Sequence, residues 1–61
     1  MAVATELLRA RAAGVRAARQ GDALSANPYR PAAATARERM LWRAWLTGYE
    51  TVRPMRIDYS G

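Results

Sequence analysis

Thr35-Ala36-Arg37-Glu38-Arg39-Met40-Leu41-Trp42-Arg43-Ala44-Trp45-Leu46-Thr47-Gly48-Tyr49-Glu50-Thr51-Val52 is the stretch on which the fold turns. It opens with a capping box, in which Thr35 and Glu38 are placed to satisfy each other's otherwise unpaired backbone donors. Leu41, Trp45, Gly48 and Val52 then recur at helical spacing, and Trp42, Leu46 and Tyr49 form an overlapping second stripe. Pro54 must end the run, because it offers no N–H and its ring clashes with the preceding turn. The spacing predicts a helix over about 36–52 that carries both tryptophans of the chain.

Upstream, the residues from Glu6 to Gln20 are nearly all good helix formers, with Thr5 as the expected N-cap and Glu6 near the positive end of the helix dipole. Gly21 suits the left-handed position after the last turn. Gly14 is the exception, costing about 1 kcal/mol against alanine in a helix interior. The expected apolar stripe is Leu8, Ala12, Val15 and Ala18, with Leu7 and Ala10 beside it. Arg9, Arg16 and Arg19 line another face, with Arg11 at its edge.

Between the helices, residues 21–35 form a linker whose centre, Asn27-Pro28-Tyr29-Arg30-Pro31, cannot be helical, since each proline biases its predecessor to an extended conformation. The tail, 53–61, alternates Met55, Ile57 and Tyr59 and is expected to be extended. The reading is a single small all-α domain spanning 1–61: helix about 6–20, linker, helix about 36–52, and tail.

So short a chain has a thin core, and small domains commonly need disulfides, a metal, self-association or a partner. There is no cysteine and no histidine, and the five carboxylates Glu6, Asp22, Glu38, Glu50 and Asp58 are scattered, so no metal or cofactor is expected. No basic, histidine-like or glycine-rich phosphate-binding constellation stands beside the hydroxyls, so no enzyme is expected either. No run reaches the roughly 20 apolar residues of a membrane span, and the start does not read as a secretory leader, which points to the cytoplasm.

Charge is the strongest functional signal. All ten basic residues are arginine, and they leave a net charge of +5. Guanidinium stays protonated, binds phosphate bidentately and stacks on bases, so a polyanion is the favoured partner. The candidate contacts are Arg9, Arg16, Arg19, Arg30, Arg39 and Arg43; if the helices pack as a hairpin, Arg9, Arg16, Arg37, Arg39 and Arg43 flank a groove ending at Arg30. The linker segment Asn27-Pro28-Tyr29-Arg30 reads either as a recognition loop or as a turn fixed against the core. Trp45 is read as core, and Trp42 as equally suited to core or surface.

Gly14, Gly21, Asn27-Pro28-Tyr29 and Trp45-Leu46-Thr47-Gly48-Tyr49 come in an order and spacing that resembles the ribosome modulation factor family. In that family, glycines seven apart precede a Cys-Pro-Tyr motif and a helix with Trp-x-x-Gly-Trp. The resemblance covers Ala13 to Glu50. Asn27 replaces the family's cysteine, Tyr49 its last tryptophan, and Trp42 stands where an arginine is expected, with Arg39 the nearest substitute; the linker is also longer. The resemblance implies two helices joined by an ordered linker, with Gly14, Gly21, Asn27, Pro28, Trp45, Gly48 and Tyr49 as its structural residues. It further implies binding to small-subunit ribosomal RNA near its 3′ end, blocked initiation and ribosome hibernation, with the arginines meeting phosphates and Tyr29 of the Pro-Tyr turn offered to an exposed base. Two rival readings stand beside it. One is an accessory factor or phage-type inhibitor that docks on another protein by its Trp/Tyr face. The other is a fluoroquinolone-modifying protein of the same fold group, for which no nucleotide site is visible.

Overall fold

The computed structural model describes the backbone of residues 2–53, and the side chains from residue 4 onward. The fold is all-α. Helix α1 spans Ala2–Arg19 and helix α2 spans Ala36–Val52, with a short 3₁₀ turn at Leu24–Ala26 in the linker. The expected extended tail, from Pro54 on, lies outside the described residues. Arg53 has already left helical geometry (φ −126°, ψ 79°), as a residue preceding proline must.

The end of α2 falls where expected, but α1 begins earlier than the sequence reading placed it. Thr5 is therefore an exposed helical residue and not a cap. Glu6 lies beyond the first turn, where the dipole has largely faded. Its carboxylate instead grips Arg37 of α2: Arg37 Nε donates to Oε1 at 2.9 Å, and Nη2 donates to Oε2.

That ion pair, with two other pairings, sets the direction of the helices. Glu6, near the start of α1, meets Arg37, near the start of α2. In mid-helix Gly14 lies against Trp45, and Gly48 against Arg11. Just past the end of α1, the Asp22 carbonyl accepts a 2.7 Å hydrogen bond from the Tyr49 hydroxyl, close to the end of α2. The two helices run in the same direction, which corrects the expected hairpin. A parallel pair needs a connection that returns the length of a helix, about 25 Å at 1.5 Å per residue. This accounts for the long linker.

The crossing is tight because both helices present a glycine to it. A Cβ on Gly14 would collide with the Trp45 carbonyl oxygen, and one on Gly48 with the Arg11 carbonyl oxygen. The contact is reciprocal, backbone on backbone, and explains a residue that looked like a cost in isolation.

It also decides which face of α1 is inside. Ala10, Gly14, Ala17 and Ala18 are buried, with Leu7 and Ala13 packed at the edge. Of the expected stripe only Ala18 is buried; Leu8 is 69% exposed, Ala12 is exposed and Val15 is half-buried. Larger side chains on the inner face would hold the backbones apart, so small residues take it. On α2, Leu41, Trp45, Gly48 and Tyr49 are buried, Trp42 and Leu46 half-buried, and Val52 is exposed. Trp45 and Tyr49 stack at 5.3 Å with an 18° interplanar angle. Two such rings dominate the core: burying about 200 Å² of indole is worth roughly 5 kcal/mol before opposing entropy.

Candidate nucleic-acid interface

The linker is fastened at five points. Gly21, at φ 80°, closes α1 with a Schellman motif. Asp22 N–H reaches the Ala17 carbonyl at 2.9 Å and Gly21 N–H the Ala18 carbonyl at 3.1 Å. Asn27 Oδ1 accepts from the Tyr29 N–H at 3.0 Å, making an Asx turn around Pro28, and its Nδ2 donates to the Trp42 carbonyl at 3.3 Å. The Tyr49 hydroxyl holds Asp22. Arg39 Nη1 donates to the Ala33 carbonyl at 2.6 Å. Thr35 Oγ1 accepts from the Glu38 N–H at 3.2 Å, so one half of the capping box forms. The Glu38 carboxylate turns instead toward Arg30, 4.0 Å away.

So fastened, the linker walls a polar cleft on one flank of the helix pair. Arg9, Tyr29, Thr35 and Arg37 line it, with Glu6 and Glu38 among them. Tyr29 is half-buried and packs against the core as well as lining the cleft. Here two of the expected contacts, Arg9 and Tyr29, come together, and Arg30 stands on the rim through Glu38. No family model, curated protein or solved structure matches this chain.

The remaining arginines do not join them. Arg16 and Arg19 are exposed on the side of α1 away from the core. Arg43 lines a different groove, on the opposite flank, together with Arg11. Arg39 is held to the linker backbone, so its role is in fastening the chain. The groove expected for a hairpin, flanked by Arg9, Arg16, Arg37, Arg39 and Arg43 and ending at Arg30, is therefore corrected: Arg9 and Arg37 share the cleft with Arg30 at its rim, but Arg16, Arg39 and Arg43 do not, because helix α1 was taken in the wrong rotation and the helices in the wrong relative direction.

Charge in the cleft is mixed. Hydrogen bonding to Arg37 is the main cause that lowers the Glu6 carboxyl below its usual value, and the same bond raises Arg37. Arg37 is exposed and Glu6 half-buried. Among the described residues the ion pairs are Glu6–Arg37 and Glu38–Arg30, which leaves Arg9, Arg11, Arg16, Arg19, Arg39, Arg43 and Arg53 exposed with no carboxylate partner among those residues. Of Trp42, Trp45 and Tyr49, the face expected to dock on a protein in the rival reading, Trp45 and Tyr49 lie in the interior and Trp42 is half-buried.

Among the described residues there is no helix long and apolar enough to cross a membrane. Nor do they contain a group of three metal-binding side chains. The sequence reading missed Arg11 as a lining residue, and Arg37 as the partner of Glu6. Both depend on which way two helices face, a fact that spacing within one helix does not contain.

Proposed function

We propose that this is a non-catalytic cytoplasmic protein that binds small-subunit ribosomal RNA and blocks translation initiation by occupying space, as the ribosome modulation factor resemblance implies. The observation that carries this reading is the row of exposed guanidinium groups on α1, Arg9, Arg16 and Arg19, none with a carboxylate partner among the described residues, on a chain of net charge +5. Free guanidinium at the surface is what phosphate contact requires, and such contacts give affinity with little sequence reading. Arg9 and Tyr29 in one cleft, with Arg30 beside them, pair a charge that can hold a phosphate with a ring edge that can meet a splayed base. Arg16 and Arg19, further along α1, extend the basic surface.

The test is association with the small subunit in sucrose gradients at increasing salt. Binding through phosphates weakens steeply, with a slope of about −0.7 per phosphate contacted for single-stranded RNA. The triple variant Arg16→Gln/Arg19→Gln/Arg30→Gln removes charge at positions with no packing role, so it should fold and lose the subunit. Undiminished association of that variant at moderate salt would overturn the reading.

A further inference from the structure

On the flank opposite the linker, the two parallel helices leave an open apolar groove of about 620 Å³. Leu7 and Leu8 of α1 and Met40 and Ala44 of α2 form its floor and walls, and Arg11 and Arg43 stand one on each helix beside it. Leu8 is 69% exposed and Met40 48% exposed, large apolar side chains that the other described residues do not cover. No carboxylate lines the groove, and neither arginine has an ion-pair partner among the described residues.

We propose that this groove receives an amphipathic, acidic helix of a partner protein, which seats large apolar side chains between Leu8 and Met40 and sets carboxylates against Arg11 and Arg43. A third helix is the natural occupant of the trough between two packed helices, its ridge of side chains filling their common groove. The lining residues of α1, 4–11, span about two turns, the length over which a helix offers anchors at i, i+4 and i+7. Charge complementarity selects the acidic partner. A second copy of this chain seated groove to groove would bring its own Arg11 and Arg43 against these two. An RNA base finds no hydrogen-bonding partner among the apolar side chains of the floor. The groove lies on the other flank from the Arg9–Tyr29 cleft, so the inference does not depend on the ribosomal reading.

The experiment is fluorescence anisotropy of the full chain with a labelled helical peptide bearing Leu at i, i+4 and i+7 and Glu at the flanking positions. Saturable binding is expected. The Leu8→Ser/Met40→Ser variant, altered only at exposed positions, should weaken it at least about tenfold through lost apolar burial. Arg11→Gln/Arg43→Gln, which keeps the aliphatic stems, should weaken it about fivefold, and a peptide with Lys in place of Glu should bind no better than to that variant. Failure to saturate, equal binding of the Glu and Lys peptides, or unchanged binding by Leu8→Ser/Met40→Ser overturns the proposal. So does displacement of the peptide by a single-stranded RNA oligonucleotide that fails to displace it from Arg11→Gln/Arg43→Gln. The variant Arg16→Gln/Arg19→Gln/Arg30→Gln should keep the peptide while losing ribosomes, and Leu8→Ser/Met40→Ser should do the reverse, which separates the two sites.

Discussion

The helix crossing and the linker hold the molecule together by opposite means. At the crossing, Gly14 and Gly48 let two backbones touch, and what stabilises the contact is close dispersion packing plus the buried Trp45–Tyr49 stack. The linker has little apolar burial of its own; residues 24–26 and 30–32 are exposed. It is placed by hydrogen bonds from Asn27, Tyr49 and Arg39 to backbone carbonyls, and by a left-handed glycine. The crossing tolerates no added atom, whereas the linker depends on particular atoms being present. Glycine serves both regions for different reasons: Gly14 for the space it leaves, Gly21 for its φ, with open space around its missing Cβ.

That contrast predicts an order of damage. Gly14→Ala and Gly48→Ala should each destabilise the fold by about 3 kcal/mol or more, as a methyl is forced into backbone, against a gain of about 1 kcal/mol from helix propensity alone. Loss of cooperative thermal unfolding by circular dichroism is expected, and a stabilised variant would mean that the backbones do not touch. Gly21→Ala should cost only about 1–2 kcal/mol, because a positive φ is strained but nothing is struck, and Gly21→Asn should recover part of it.

Asn27→Ala and Tyr49→Phe each remove hydrogen bonds that tie the linker, at about 1 kcal/mol per bond. Hydrogen exchange should quicken across residues 22–30 in these variants, with the core of α1 and α2 still protected. Thr35→Ala should cost about 1 kcal/mol, read as fraying of the first turn of α2.

The smallest effect is the pH response of the Glu6–Arg37 pair. Because pairing lowers the Glu6 carboxyl in the folded state, its contribution is present above the usual glutamate value of 4.5 and fades as acid carries the group through its lower folded value. At a surface ion pair solvent screening keeps this slight. Glu6→Gln should lower the neutral value slightly and leave the acid value unchanged, so that the acid limb of thermal stability flattens, and an unaltered acid limb would show that the pair does not act in solution.

Much of α2 was legible because its signals are local. Thr35 caps it, Pro54 follows it, and Trp45 at helical spacing from Leu41 and Gly48 marks its inner face. Helix α1 was misread in rotation. Leu8 and Val15 are its conspicuous apolar residues, yet alanines and Gly14 face inward. Hydrophobicity ranks residues one at a time, while close approach selects for smallness on both partners together. The candidate cleft was half legible for the same reason: Arg9 and Tyr29 were named, but nothing local brings them together or sends Arg43 to the other flank.

The amino-acid sequence by itself determined two helices, their separating Asn-Pro-Tyr segment, the absence of thiol and imidazole chemistry, and a surplus of permanent positive charge. These follow from backbone preference and ionisation, which each residue carries with it. The tertiary structure alone decided that the helices run parallel, that glycine meets backbone at their crossing, and that the arginines divide between a polar cleft and an apolar groove. Those depend on the relative placement of distant residues, set by which pair of surfaces can approach most closely.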